Sequence, residues 1–153
     1  MNESIRYDVM INCLSSAQSA RIEQAILDHI KYNNNLADAV KVQSSNGNIM
    51  LRIVDYVEVF PAFTYRTTPT AMINEVVDSE GIEVLVKCNN NVDAIKVANF
   101  MHYQFAGMQA YIDSDVLINI NNDNNNVLLF IDKKLNMEPD ILFMPDAYLS
   151  HIC

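Results

Sequence analysis

The chain has 153 residues and half of them are apolar, so one hydrophobic core can form without disulfides or a structural metal. Nineteen acidic side chains against ten basic ones give a formal net charge of −9, and the basic residues are scattered along the sequence. A protein that binds nucleic acid needs clustered Lys and Arg to neutralise phosphates. The composition therefore argues against direct nucleic-acid binding.

The sequence also carries expectations about compartment and cofactors. No apolar run approaches the roughly 18 residues of a membrane-spanning helix, and the N-terminal residues lack the basic and apolar regions of a secretory signal. Cys13, Cys88 and Cys153 are odd in number and widely spaced, unlike a disulfide framework or a zinc site. We therefore expect a cytoplasmic, reducing location, no membrane contact, and no cofactor or metal.

The first half of the chain predicts a strand, a helix and a hairpin. Ile5 to Leu14 alternates apolar and polar residues as a strand does, and Ser15 or Ser16 can cap the helix that follows. Asn46-Gly47 is a strong hairpin signal, because both residues accept the positive φ of a tight turn. The outgoing strand from Asn48 to Val59 would run roughly 40 Å, with a bulge or bend at Val54-Asp55.

The second half adds two predicted helices, a strand and a second hairpin. Thr68-Pro69 should begin a helix that runs to about Asp78, and Ile82 to Cys88 has the pattern of a strand. Asn91 should cap a third helix that ends at Gly107. The last predicted hairpin pairs residues 110–120 with 127–135 around an asparagine-rich loop.

These elements predict an α+β domain with a mixed or antiparallel sheet. Up to residue 88 their order is β-α-β-β-α-β, which resembles ferredoxin-like domains in element order alone and implies no activity. A third helix and a C-terminal hairpin follow. We expect a single domain over residues 1–153, with an α/β core over about 4–107 and a hairpin with an apolar tail over about 108–153.

One set of residues resembles a catalytic centre. Asp113 or Asp115 on one strand, with Asp132 and Lys134 on the next, resembles the core of restriction-type nucleases, where carboxylates hold a divalent ion and lysine helps activate water. The proline that precedes the first Asp in that motif is missing, and no basic surface is evident. A solvated strand end is the favoured interpretation, and we predict no catalytic residues.

The residues predicted to contact other subunits fall in three segments. The sequence lacks the spacing of a phosphate-binding loop and that of a nucleophile with a histidine partner. The predicted subunit contacts therefore depend on extended and apolar segments that we expect at the surface. The alternative for the aromatic segment is that it closes the chain's own core. The segments are the hairpin tip (Ser45, Asn46, Gly47), the aromatic connector (Phe60, Phe63, Tyr65) and the apolar tail (Tyr148, Leu149, Ile152).

The function predicted from the sequence is a non-enzymatic assembly protein. We expect a homo-oligomer that also contacts other components, as in the tail, neck or capsid-associated ring of a virus or phage particle. The nineteen asparagines fit AT-rich coding, which is found in many phages, other viruses and low-GC bacteria. An acidic immunity or inhibitor protein that masks a basic partner is the alternative, and a metal-dependent nuclease is the third hypothesis.

Overall fold

The computed structural model describes residues 5–65, 81–105, 116–132, 135 and 137–145. This part of the chain is mostly β, with eight strands, two long helices and one helical turn. In chain order the elements are β1 Ile5–Asn12, α1 Ser16–Lys31, α2 Asn34–Ala37, β2 Val40–Ser45, β3 Asn48–Val54, β4 Val59–Tyr65, β5 Gly81–Cys88, α3 Asn91–Phe105, β6 Val116–Asn121, β7 Asn126–Asp132 and β8 Pro139–Pro145.

The strands form two antiparallel sheets. Six of them lie in the order β2-β3-β1-β5-β7-β6, and every neighbouring pair is antiparallel. The remaining two, β4 and β8, pair with each other in a separate two-stranded sheet. Helix α1 connects β1 to β2, which lie on either side of β3.

One face of the six-stranded sheet forms the hydrophobic core. Alternate residues of its strands are completely buried, among them Val9, Leu51 and Val86, which lie side by side in the register. Both long helices pack on this face through apolar stripes, and burial of each large side chain contributes roughly 1.5–3 kcal/mol. The helix residues in this core include Ile22, Ile26, Ile30, Ala94, Val97 and Met101.

Side-chain caps set the starts of both long helices. The Ser15 hydroxyl accepts a hydrogen bond from the Gln18 N–H at 3.1 Å, which confirms one of the two predicted caps of α1. The Asn90 side-chain oxygen accepts a hydrogen bond from the Asp93 N–H at 2.8 Å. The predicted cap, Asn91, was one residue too late, because Asn91 is already the first residue of α3.

The predicted turn at Asn46-Gly47 is confirmed. Asn46 and Gly47 have φ values of 50° and 90°, and β2 pairs with β3 on either side of them. Two positive φ angles in succession are the geometry of a type I′ turn, whose twist matches that of the flanking strands. The Gly47 carbonyl accepts a hydrogen bond from the Cys13 N–H at 2.9 Å, which holds the turn against the end of β1.

The predicted ferredoxin-like arrangement followed by a third helix is wrong. The single long strand from Asn48 to Val59 does not exist: β3 ends at Val54, and the chain turns out of the six-stranded sheet before β4. A strand with one solvent face cannot accommodate the run from Val59 to Phe63, in which every residue is buried. The helix predicted over residues 68–78 lies outside the described residues.

Two prolines delimit the second strand of the second sheet. Pro139 and Pro145 are the first and last residues of β8, which pairs with β4 from Tyr65↔Pro139 to Val59↔Pro145. Proline is compatible with the ends of a strand, where few ladder hydrogen bonds are lost. The residues between the prolines, including Ile141, pack into the core of the chain itself.

Candidate protein-protein interface

The second face of the six-stranded sheet, here called the open face, consists of the side chains that point away from α1 and α3. Because side chains alternate along each strand, the register arranges them in three rows that cross all six strands. From β2 to β6, the apolar row is Gln43, Met50, Met10, Leu85, Leu128 and Asn119. The Glu83 row is Ser45, Asn48, Asn12, Glu83, Phe130 and Leu117, and the cationic row is Lys41, Arg52, Asp8, Lys87, Asn126 and Asn121.

The apolar side chains of the apolar row are only partly shielded from solvent. Met10, Met50, Leu85 and Leu128 are each half-buried, whereas the residues next to them in sequence that point to the helices are fully buried. Solvent faces of antiparallel sheets normally carry polar side chains. Four adjacent apolar side chains on such a face therefore form a patch of the kind that marks an interaction surface.

The aromatic and aliphatic end of the Glu83 row extends this patch towards the sheet edge. Phe130 is half-buried, and its neighbour Leu117 is 51% exposed on the edge strand β6. Within the described residues, the helices contact the strands from the other side, through the buried core. The patch therefore runs from the centre of the open face to one edge of the sheet.

Charges on the open face are separated by row. The cationic row has three basic residues and one carboxylate, and Arg52 Nε lies 3.4 Å from Asp8 Oδ1. The Glu83 row has one charge, the Glu83 carboxylate, whose Oε1 accepts a hydrogen bond from the Asn12 side chain at 3.2 Å. At neutral pH the two rows carry net charges of opposite sign, one on each side of the apolar row.

A shallow hollow of about 280 Å³ lies on the open face between β1, β2 and β3. Two methionines form one side of it, and polar side chains of the β2–β3 hairpin form the other. Methionine adapts its shape easily, so this surface can receive side chains of another protein. The hollow is lined by Met10, Gln43, Ser45, Asn46, Asn48 and Met50.

The predicted contact residues of the hairpin tip lie at the end of this hollow. Ser45 and Asn46 are exposed, whereas Gly47 is buried against Ser15. The Ser44 hydroxyl donates a hydrogen bond to Glu23 of α1 at 2.9 Å. The tip is thus held by hydrogen bonds to α1 and to the end of β1 in its own chain.

The aromatic connector lies in the interior. Phe60 and Phe63 are completely buried in the chain's own core, so these side chains offer no surface to another subunit. Tyr65 is half-buried and stacks on Phe105 with ring centroids 4.9 Å apart. The connector therefore closes the core, which is the alternative that the sequence left open. The third predicted segment, Tyr148, Leu149 and Ile152, lies outside the described residues.

Of the nuclease-like residues, Asp132 is the one that lies within the described residues. Asp132 ends β7, where it pairs with Gly81. Asp113, Asp115 and Lys134 lie outside the described residues. Within the described ranges, no group of three His, Cys, Asp or Glu side chains is arranged to hold a metal ion.

Two of the three cysteines are half-buried, free thiols. Burial raises the pKa of the Cys13 thiol and of the Cys88 thiol to about 12 each. Both thiols are therefore protonated at neutral pH, and a protonated thiol is a poor nucleophile and a poor metal ligand. Their place among strand residues of the core fits the role of small buried hydrophobes.

His29 lines a second hollow of about 280 Å³, between α1 and β8. Its ring lies 5.6 Å from the ring of Phe143, and Asp28 and Asp140 line the same hollow. Burial lowers the pKa of the His29 imidazole, while the Asp140 carboxylate opposes that shift. The histidine is therefore a partly buried residue that packs against an aromatic ring.

The open face was missed at the sequence level although its signal was present. Met10, Leu85 and Leu128 each occupy the phase of their strand that a one-sided sheet would fill with polar residues. The register between β1, β5 and β7 decides whether such residues meet, and these strands are far apart in sequence.

Comparisons with models of protein families, with curated proteins and with solved structures found no match for this chain. Among the described residues, neither long helix combines the length and the apolar character needed to cross a membrane. The functional conclusion therefore depends on the chain's own geometry.

Proposed function

We propose that this chain is a non-enzymatic assembly protein that forms subunit contacts through the open face of its six-stranded sheet. The observation that carries this proposal is the apolar row, in which Met50, Met10, Leu85 and Leu128 lie side by side on a face that the described helices leave uncovered. Covering these side chains with another protein removes apolar surface from water at about 25 cal/mol per Å².

The chemistry of the described residues supports a binding role. The thiols of Cys13 and Cys88 are protonated at neutral pH, and His29 packs against an aromatic ring. The buried charged groups belong to internal ion pairs: Arg6 with Asp93 at 3.3 Å, and Arg21 with Glu138 at 2.7 Å. These pairs join elements of the fold to each other.

The charge of the open face favours assembly over the alternative of an inhibitor that masks a basic partner. Although the chain as a whole carries −9, the three rows of the open face carry three basic and two acidic side chains, and Asp132 at the end of β7 adds a third carboxylate. An acidic masking surface would have to lie elsewhere. A structural component of a virus or phage particle remains the setting that we propose from the asparagine-rich composition.

The proposal is tested by the native mass of the purified chain. The wild type should exceed the mass of one chain at concentrations on the order of 100 μM, where an association with a micromolar Kd is saturated. Its melting temperature should rise with protein concentration, because association stabilises the folded state by mass action. Light scattering and thermal melts over a dilution series measure both.

A charged substitution in the centre of the apolar row tests whether the open face is the surface through which the chains associate. Leu85→Lys should give a folded monomer, because a lysine at the centre of a covered apolar patch loses its hydration. Leu27→Lys is the matched control: Leu27 is a 40% exposed leucine on α1, away from the open face, and this variant should associate like the wild type. A wild type that is monomeric at every concentration, or a Leu85→Lys variant with wild-type mass, would overturn the proposal.

A further inference from the structure

We infer that the partner of the open face is a second copy of this chain, related by a two-fold axis that runs along the apolar row, across the strands. This inference rests on the proposed function and specifies which residues meet. In such a face-to-face pair the strands of the two copies run antiparallel, within about 30° of each other and about 10 Å apart.

The two-fold axis brings rows of opposite charge together. A half-turn about this axis places each strand opposite the same strand of the second copy. The half-turn also exchanges the two rows that lie on either side of the apolar row. The Glu83 row then faces the cationic row of the second copy. On β5, Glu83 of each copy lies opposite Lys87 of the other, and symmetry forms this pair twice.

Strands β1 and β3 also place complementary side chains opposite each other about the same two-fold axis. On β1, Asn12 lies opposite Asp8 of the second copy. Asp8 Oδ1 is buried and has no hydrogen-bond partner among the described residues, although Arg52 Nε lies 3.4 Å from it. An asparagine amide is a suitable donor for a carboxylate. On β3, Asn48 lies opposite Arg52, whose side chain is half exposed. On these strands polar groups thus meet polar groups, whereas on β7 and β6 Phe130 and Leu117 lie opposite Asn126 and Asn121.

The net charges of the rows favour this axis over the other face-to-face arrangement. An axis parallel to the strands would place the cationic row against the cationic row of the second copy. Each of these rows has Lys41, Arg52 and Lys87 against the single carboxylate of Asp8, so two rows of net +2 would face each other. Like charges across an interface oppose association, whereas the axis along the apolar row sets −1 against +2.

The open face is large enough for a stable pair. Six strands spaced about 4.8 Å apart span roughly 29 Å, and three rows along the strands span roughly 20 Å. The contact then buries about 600 Å² on each copy, or about 1,200 Å² in total, which reaches the lower end of specific protein interfaces. The central apolar row supplies the water-free centre, and the two charged rows form the rim.

Charge exchange at Glu83 and Lys87 tests the inference. Glu83→Lys and Lys87→Glu each replace two attractive pairs by two repulsive ones, so each variant alone should self-associate about tenfold or more weakly than the wild type. A mixture of the two variants should pair, because every contact then joins a lysine to a glutamate. Native mass spectrometry separates the mixed pair from the homodimers when one variant carries a mass label.

Two controls complete the experiment. The double variant Glu83→Lys/Lys87→Glu exchanges the charges within one chain and should restore the homodimer. Lys41→Glu makes the same charge change at the edge strand, opposite the uncharged Ser45, and should affect association much less. Both Glu83 and Lys87 are exposed in the single chain, so circular dichroism should find all variants folded.

The outcomes separate this inference from the proposed function. If the single variants keep the wild-type mass while Leu85→Lys is monomeric, the open face is the interface but the two-fold register is wrong. If both single variants dissociate and their mixture does not pair, the contact between Glu83 and Lys87 is overturned. A wild type that is monomeric throughout overturns the proposed function, and this inference with it.

Discussion

At the scale of single residues, Gly81 occupies a position without room for a side chain. A Cβ atom added to Gly81 would lie 2.1 Å from the carbonyl oxygen of Ile131 on the neighbouring strand, and 2.8 Å from the Phe130 ring. The ring can move, but the carbonyl belongs to the backbone of β7. Glycine is needed here because β5 and β7 approach too closely for a side chain.

We therefore expect Gly81→Ala to destabilise the fold by about 1–3 kcal/mol, the range for a group forced into a filled space. Urea unfolding monitored by circular dichroism measures the free energy. Ser45→Ala, at an exposed strand position, is the control and should change the free energy by less than about 0.5 kcal/mol. An unchanged midpoint for Gly81→Ala would contradict the close strand approach.

His29 predicts a pH dependence. Burial lowers the pKa of the folded-state imidazole from its ordinary value of 6.5, so the unfolded chain binds a proton more readily than the folded chain. The contribution of His29 to stability is present above that value and is lost as the pH falls through the lowered folded-state pKa.

The measurement is the melting temperature between about pH 7.5 and 5.5. The wild type should lose more stability over this interval than His29→Gln, which cannot titrate there. Other groups contribute equally to both proteins, so the difference isolates the histidine. Parallel curves for the two proteins would show that His29 titrates alike in the folded and unfolded chain.

At the scale of elements, an ion pair joins α1 to the residues that lead into β8. Arg21 Nε lies 2.7 Å from Glu138 Oε2, and the Glu138 side chain is only 4% exposed. Helix α1 also contacts β8 through His29 and Phe143. These contacts hold the two-stranded sheet against α1. Within that sheet, Phe63 of β4 pairs with Ile141 of β8.

Removal of Arg21 leaves the Glu138 carboxylate buried without its partner. We expect Arg21→Ala to cost about 3 kcal/mol, the lower end for a broken buried pair, because Arg21 itself is 40% exposed. Arg21→Lys should recover part of the loss by keeping the charge. Lys31→Ala, an exposed change on the same helix, is the control. Chemical unfolding ranks the three variants, and equal stabilities for Arg21→Ala and Lys31→Ala would refute the role of the pair.

At the scale of the whole molecule, the six-stranded sheet has two unlike faces. The face towards α1 and α3 carries the core, and the open face carries an apolar row between rows of opposite charge. The same alternation along each strand produces both faces, so a change of register by one residue would exchange them. Pairing of two open faces would place the two six-stranded sheets against each other, with the helices of each copy on the far side of its sheet.

The local elements of this fold could be predicted because their causes are local. Asn46 and Gly47 accept positive φ angles, and the Ser15 side chain reaches an N–H three residues away. Each signal lies within a few residues of the structure that it sets. Strand β5 and helix α3 likewise follow from their own apolar patterns.

The exit of the chain from the sheet after Val54 depends on contacts that are distant in sequence. Phe60 packs on Tyr7 with ring centroids 5.4 Å apart, and Arg6 reaches both Asp55 in the turn and Asp93 on α3. The alternation of apolar and polar residues from Asn48 to Val59 by itself favoured one continuous strand. The packing of β4 against β1 and α3 decides that the chain leaves the sheet instead.

The Asn46-Gly47 turn and the Ser15 cap of α1 follow from the sequence, since backbone conformation and capping are set by neighbouring residues. What the strands present to the outside depends on tertiary packing. Met10 and Leu85 are 75 positions apart in the chain and become neighbours through the pairing of β1 with β5. The candidate interface is a product of register, and register is fixed by the burial of the opposite face.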